Sequence, residues 1–399
     1  MFNFARLKLK KPAKFDRYMD IKGTTVVHLA QYAAPYLGNF VKSLMCLEER
    51  LAKNGGGMVY VFPPQARDCV WFEGFASEHE VSLIQPGKAG VAAIEAVIKK
   101  YKGNVLMHTH FEGYDEAVCK AVRHRGYDIP VVWHLHDHLS YQPNILKAMY
   151  QRWCFFRHYC LPTLRSRVYT IAVSQEVDAF VRRFGGHFKG SMVLPNGIDI
   201  SRIYKTKDWT SEDDGIRRFV CLGGRNVQKR MDIALEAFKM LYDSGRLKPG
   251  EAMLRVVIGT DSRDVLSRVF GSDAALPQWL EPIEQDEDIV RVFDGTDCFI
   301  SAAQHETFSY AVCEATLYGL AVIQSDIPGT MWNAGNPSVK LFKSLDVSDL
   351  ADKIEDFISI DRHKLAEDTA ITAARNRTKY TLDAWCDSVL KMYEKIVKC

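Results

Sequence analysis

Apolar positions along the chain repeat with two different spacings. Short β-branched runs, TTVVHLA (24–30), GMVYVFP (57–63), NVLMH (104–108), PVVWHL (130–135) and SRVYTIAV (166–173), read as strands. Between them Phe40, Leu44, Leu47 and Leu51 recur at helical spacing, and further helices are expected at 89–101, at 114–125 and from Gln175. The strands are apolar nearly throughout, as in a parallel sheet whose two faces are both covered by helices.

A turn-rich stretch, VLPNGIDI (193–200), and a polar one, KTKDWTSEDDG (205–215), break this series. A second series follows: RRFVCLG (217–223), a helix near 231–241, MLRVVIG (253–259), DCFISAA (297–303), a helix near 310–318 and LAVIQSD (320–326). The tail is helical and polar, with Trp385, Val389, Met392 and Ile396 forming a last apolar stripe. The expected fold is α/β, with two Rossmann-like parallel-sheet domains at 24–200 and 217–375 joined by a linker at 201–216. Residues 1–23 form a basic extension, and 376–399 a helix that packs back on the first domain. In open parallel sheets ligands bind beyond the carboxyl ends of the strands, so the expected site is a cleft between facing domains.

Composition narrows the function. Of 399 residues, 47% are hydrophobic and 25% charged, which excludes a largely disordered chain. Lys and Arg (52) nearly balance Asp and Glu (49), so the chain is not organised around nucleic acid. No apolar run approaches the roughly 18–20 residues that span a bilayer, and the N-terminus lacks the pattern of a signal peptide. Ten dispersed cysteines without a C-x-x-C pair read as reduced thiols, which points to a cytoplasmic protein. One window departs from the average. Between His138 and Gln175 there is no acid, while Lys147, Arg152, Arg157, Arg165 and Arg167 are interleaved with Tyr150, Trp153, Phe155, Phe156 and Tyr159. Arg6, Lys8, Lys10, Lys11, Lys14 and Arg17 stand against Asp16 at the N-terminus. Two readings fit: peripheral attachment to the inner, anionic face of the cell membrane, or a core helix with snorkelling cations and a solvated tail.

The densest chemistry lies in DCFISAAQHETFSYAVCEATLYGLAVIQSDIPG (297–329). A strand end, a short loop and a helix with Ser309 at its N-cap present N–H groups and a partial positive charge suited to phosphate. Glu306 in the loop and Glu314 inside the helix stand at different depths along one ligand, and carboxylates accept hydrogen bonds from sugar hydroxyls. Taken alone, two such glutamates also fit an ordinary helix terminus and a solvated side chain. In WHLHDHL (133–139), His134, His136 and His138 share one side of an extended segment. Three readings compete there: a metal site supported by His108 and His110, a structural strand end, and a ligand contact. Asp286-Glu287-Asp288 is formally D-x-D, but sits in an acidic run that reads as a helix start.

Glu306-x7-Glu314 with Gly319 and Asp326-Ile327-Pro328-Gly329 resembles the signature of the retaining GT-B glycosyltransferases of family 4. LGGRNVQKRMDIALEAF (222–238), VLPNGIDI, TIAVSQEV (170–177) and IPVVWHLHD (129–137) resemble further segments of that family, in the right order over most of 24–330. The resemblance implies a hexosyl transfer, without metal or other cofactor, from a nucleotide sugar, UDP- rather than GDP-linked. The acceptor is a saccharide or lipid-linked saccharide of bacterial surface polysaccharide synthesis. It implies that Glu306 binds the donor sugar, Glu314 the ribose, and Arg225 and Lys229 the leaving diphosphate. His136 contacts the sugar near the reacting carbon. Gly38, Asp137, Gly224, Gly259, Thr307, Phe308 and Ser309 complete the donor site, with Asn39 as a candidate helix cap. Three residues separate Arg225 from Lys229 where the family has four, which leaves Arg230 as an alternative cation. Two other functions use the same fold: a nucleotide-sugar epimerase or hydrolase, and a non-catalytic sugar-binding subunit.

Overall fold

A computed structural model describes residues 21–101, 105–125, 128–136, 145–211, 213–223, 227–259, 263–271 and 275–397. The chain divides into two units, residues 1–195 with 385–399, and residues 196–384.

In the first unit the strands are β1 (Thr25–Ala30), β2 (Gly57–Phe62), β3 (Val81–Leu83), β4 (Val105–His110), β5 (Val131–Leu135), β6 (Val168–Ala172) and β7 (Gly190–Val193). They form a parallel sheet ordered β3-β2-β1-β4-β5-β6-β7. Six helices serve as crossovers: α1 (Gly38–Lys53), α2 (Phe72–Glu78), α3 (Val91–Lys100), α4 (Asp115–Arg125), α5 (Ile145–Thr163) and α6 (Gln175–Arg183). Side chains alternate across each strand, so two cores result. Val27, Leu29, Met107, Val131 and Trp133 pack under α3 and α4, while Val26, Ala30, Leu106 and Val132 pack with α1 residues Phe40, Leu44 and Leu47.

The second unit holds β8 (Arg217–Leu222), β9 (Ala252–Ile258), β10 (Leu280–Glu284), β11 (Cys298–Ser301), β12 (Ala321–Ser325) and β13 (Val339–Phe342), parallel and ordered β10-β9-β8-β11-β12-β13. Its helices are α7 (Met231–Asp243), α8 (Arg263–Phe270), α9 (Ile289–Phe293), α10 (Tyr310–Tyr318), α11 (Val347–Ile358) and α12 (Arg362–Lys379). A last helix, α13 (Leu382–Val397), buries Trp385, Val389, Met392, Tyr393 and Ile396 in the α1-side core of the first unit.

Two sequence expectations are corrected. Residues 201–216 are not a linker between units but part of the second one, which begins at Asn196. Lys207 pairs with Asp297 at 2.9 Å with both side chains nearly buried, and Trp209 Nε1 donates to Gly319 O at 3.0 Å. A tryptophan and an ion-paired lysine bind the polar stretch into the second unit. Asn39 does not cap α1: the helix starts one residue earlier, at Gly38, and Asn39 is buried inside the first turn. The acidic run at 286–288 is a helix start, as its sequence suggests: Asp288 Oδ1 accepts from Val290 N (3.0 Å) to cap α9, and Oδ2 accepts from Tyr204 Oη (2.6 Å). No helix among the described residues is long and apolar enough to cross a membrane.

Candidate active site

β11 ends at Ser301, and the following loop turns into α10 with Ser309 at the N-cap position. The Ser309 side chain makes no capping hydrogen bond among the described residues, contrary to the sequence expectation, and is buried. Loop and helix tip line a cavity of about 270 Å³, whose walls include Lys229, Glu306, Phe308, Ser309, Tyr310 and Glu314. Phe308 is buried and stacks on Trp332 at 5.1 Å between ring centroids, so it wedges the loop against the second unit's core. Of the residues the family resemblance singled out here, Thr307 lies between Glu306 and this wedge, and Gly259 follows β9.

Gly329 fixes Glu306 from behind. A Cβ at this position would sit 1.8 Å from Glu306 O and 2.8 Å from Thr307 N. The turn after β12 therefore packs backbone to backbone on the Glu306 loop, and any side chain at 329 would displace it. Gln324, Thr330 and Asn333 tie that turn into the unit: Gln324 Nε2 donates to Thr330 O at 2.8 Å, and Thr330 Oγ1 to Ser325 O at 2.8 Å.

Two ion pairs set the electrostatics. Lys229 Nζ donates to Glu306 Oε1 inside the cavity. Arg202, from the turn Ile200–Arg202, donates to Glu314 Oε1 at 3.1 Å. Arg230 is the weaker candidate cation, because Asp232 takes its Nε and Nη2 (2.9 and 2.8 Å) and Gln304 its Nη1. Arg230 also sits in the left-handed region (φ 50°), which directs the chain into α7. Arg225, Gly224, Asp137 and His138 lie outside the described residues. Arg202 is a site residue that the sequence reading missed; its only signal was its place just after PNGID.

In the first unit Gly38 opens α1 at φ +62°, where a Cβ would lie 3.1 Å from Tyr32 Oη. His136 directly follows β5, half-buried beside Phe111 (4.4 Å) and Phe40 (5.6 Å). Its Nε2 lies 3.0 Å from His110 Nδ1. His110 belongs to a buried layer with His28, His108 and His134, all on the sheet face that α1 and α13 cover. Burial lowers the pKa of His28 to about 3. Burial first, and then the neighbouring imidazoles, hold His108, His110 and His134 well below the usual value.

Residues 76–202 match the family model described as Glycosyltransferase Family 4, and residues 216–359 match that described as Glycosyl transferases group 1. The solved structures it resembles include a glycosyltransferase from Rickettsia africae (TM-score 0.73, 16% identity, covering 94% of this chain and 99% of that one). They also include HepE of Anabaena in complex with UDP (TM-score 0.72, 16% identity, covering 93% and 99%). The chain has the GT-B fold, and its two parts match two glycosyltransferase family models. A curated relative, the N,N'-diacetylbacillosaminyl-diphospho-undecaprenol alpha-1,3-N-acetylgalactosaminyltransferase of Campylobacter jejuni, is 29% identical over 161 residues. That match spans 40% of this GT-B chain and 42% of the relative.

Proposed function

We propose that the protein is a retaining, metal-independent hexosyltransferase. It takes its sugar from a nucleoside diphosphate donor, UDP-linked in preference to GDP-linked, and delivers it to a saccharide or lipid-linked saccharide. The observation that carries this reading is the α10 cavity, where a helix N-terminus, one lysine and two carboxylates converge. The diphosphate takes the helix tip and Lys229, since amide dipoles and a cation stabilise the charge that grows on the leaving group. Lys229 then exchanges Glu306 for phosphate oxygens, which leaves the Glu306 carboxylate to the sugar hydroxyls. Glu314, held by Arg202, takes the ribose hydroxyls. His136 is assigned to the same reaction at the sugar, and the diphosphate assists deprotonation of the acceptor hydroxyl. The bound UDP of HepE supports the choice of nucleotide, and the lipid-linked substrate in the name of the Campylobacter relative supports the choice of acceptor. Incubation with nucleotide sugars and a lipid-diphosphate saccharide in EDTA should yield product with the donor's anomeric configuration. Epimer or free sugar, equally abundant without acceptor, would sink this reading.

Residues 145–163 of the acid-free window form α5. Its Phe155 and Tyr159 are buried, while Met149, Tyr150, Trp153 and Phe156 are exposed. Beside it, Lys88, Lys120, Arg123 and Arg157 line a cavity of about 260 Å³ with one acid, Glu116. We assign this face to an anionic membrane surface, apolar rings entering the interface and cations meeting headgroups. Anionic vesicles should sediment the protein and neutral ones should not, with Trp153→Ser lowering the bound fraction. Equal binding to both vesicle types would refute the assignment.

A further inference from the structure

The histidine layer carries more than one candidate contact for a sugar. β1, β4 and β5 are neighbours, with His28 in register with His108 and His110 with His134. Alternation puts all of these, and His136, on one face. A buried polar atom without a partner costs about 1–3 kcal/mol. Even so, His108 Nε2 and both ring nitrogens of His134 have no hydrogen-bond partner among the described residues. His28, His108 and His110 are each at most 1% exposed, and one nitrogen from each lies within 4.8 Å of the others.

The outer nitrogens of this trio are already held. Tyr393 Oη contacts His108 Nδ1, and lies 3.2 Å from His28 Nε2. His110 Nδ1 lies 3.0 Å from His136 Nε2. The inner nitrogens are His28 Nδ1 and His110 Nε2, which share a hydrogen bond at 3.0 Å, and His108 Nε2, which has no partner among the described residues. Metal-binding histidines use one nitrogen for the ion and donate the other N–H to an oriented neighbour, and this trio has that arrangement. If the protons sit on His28 Nε2, His108 Nδ1 and His110 Nδ1, three bare nitrogens remain and no imidazole has to lose a proton. Three neutral imidazoles without carboxylate or thiolate suit a borderline divalent ion, with tetrahedral Zn²⁺ keeping one open position.

We propose that His28, His108 and His110 form a buried three-histidine site for a divalent transition-metal ion, Zn²⁺, oriented by Tyr393 and His136. The site lies wholly within the first unit and does not depend on the transferase reading. His110 also belongs to a second trio with His134 and His136. The first is favoured because each of its histidines has an orienting partner, whereas His134 has none among the described residues.

The test uses untagged full-length protein, stripped with EDTA and dialysed against Zn²⁺ or Co²⁺. The expected result is one Zn²⁺ per chain by elemental analysis, a higher melting temperature, and the intense visible bands of tetrahedral Co²⁺. Tyr393→Phe keeps the ring and removes the orienting oxygen, so affinity should fall roughly ten- to a hundredfold. His28→Gln should abolish binding, and His134→Phe should leave stoichiometry at one. Absence of bound metal in the wild-type chain, or an octahedral Co²⁺ spectrum, overturns the proposal. So does loss of the ion in His134→Phe with its retention in Tyr393→Phe. Those results do not require that His28→Gln folds.

Discussion

Glu306→Gln should lower sugar transfer by about 2–4 kcal/mol of transition-state stabilisation, roughly thirty- to a thousandfold, while UDP binding is kept or becomes tighter. The two halves of this expectation come from one contact. Glu306 has its own carboxylate on Lys229, so the lysine is not fully available to a diphosphate until that pair opens. Glutamine has the same shape but no charge. It releases Lys229 to the diphosphate and loses the charge-assisted hydrogen bonds to the sugar. A purely structural Glu306 would move both quantities in the same direction, because losing the loop would spoil the cavity for nucleotide and sugar alike. Steady-state transfer and UDP titration on the same preparation separate the two cases; wild-type transfer by Glu306→Gln would remove it from the mechanism.

The second large effect concerns acid. In EDTA, the first unit should lose most of its stability between about pH 6.5 and 5, with the second unit much less affected. His28, His108, His110 and His134 are neutral in the fold because burial depresses their pKa values. Below the unfolded value of 6.5 the unfolded chain therefore binds more protons than the folded one, and stability falls with pH. At pH 5 His28, with its pKa lowered to about 3, costs about 2 kcal/mol, and His108, His110 and His134 act in the same direction. Against the about 5–15 kcal/mol that holds an ordinary domain together, this is a large penalty. On the alkaline side His158 acts with the opposite sign. Burial opposes its charge, but Asp115 and Glu116 outweigh that and raise its pKa to about 10. Its contribution is complete below pH 6.5 and is lost as pH rises toward 10, so the first unit should be most stable near pH 6.5. The second unit has no buried histidine among its described residues. Denaturant unfolding followed by hydrogen exchange in each unit checks this, and His134→Phe should reduce the acid slope. A first unit equally stable at pH 7 and pH 5 would contradict the account of the layer.

Much of this was legible in the sequence because it is local. Strand–helix alternation gave two parallel sheets, and the helix at 310–318 is the observed α10. Its carboxylates could be placed at different depths because helix spacing alone separates a loop residue from one inside the helix. What escaped depends on pairing across long stretches of chain. Arg202 meets Glu314 from 112 residues away. His28 reads as one polar residue in a strand until register sets it beside His108. Tyr393 joins the layer from a helix 365 residues after His28. Composition misled at 201–216, where a turn-rich and polar stretch suggested a linker and the segment is instead held in the second unit by pairs such as Lys207 with Asp297. The short strands β3, β7 and β13 have only three or four residues each, too few for a period to show.

The central claim is that the α10 cavity is a nucleoside diphosphate site. Calorimetric titration of UDP and GDP into wild-type protein and Lys229→Ala, in EDTA, tests it most directly. The account predicts that wild-type protein binds UDP without added metal, and that Lys229→Ala binds it at least about tenfold more weakly through loss of a charged hydrogen bond. Failure of wild-type protein to bind either nucleotide, or equal affinity in the two proteins, would contradict it.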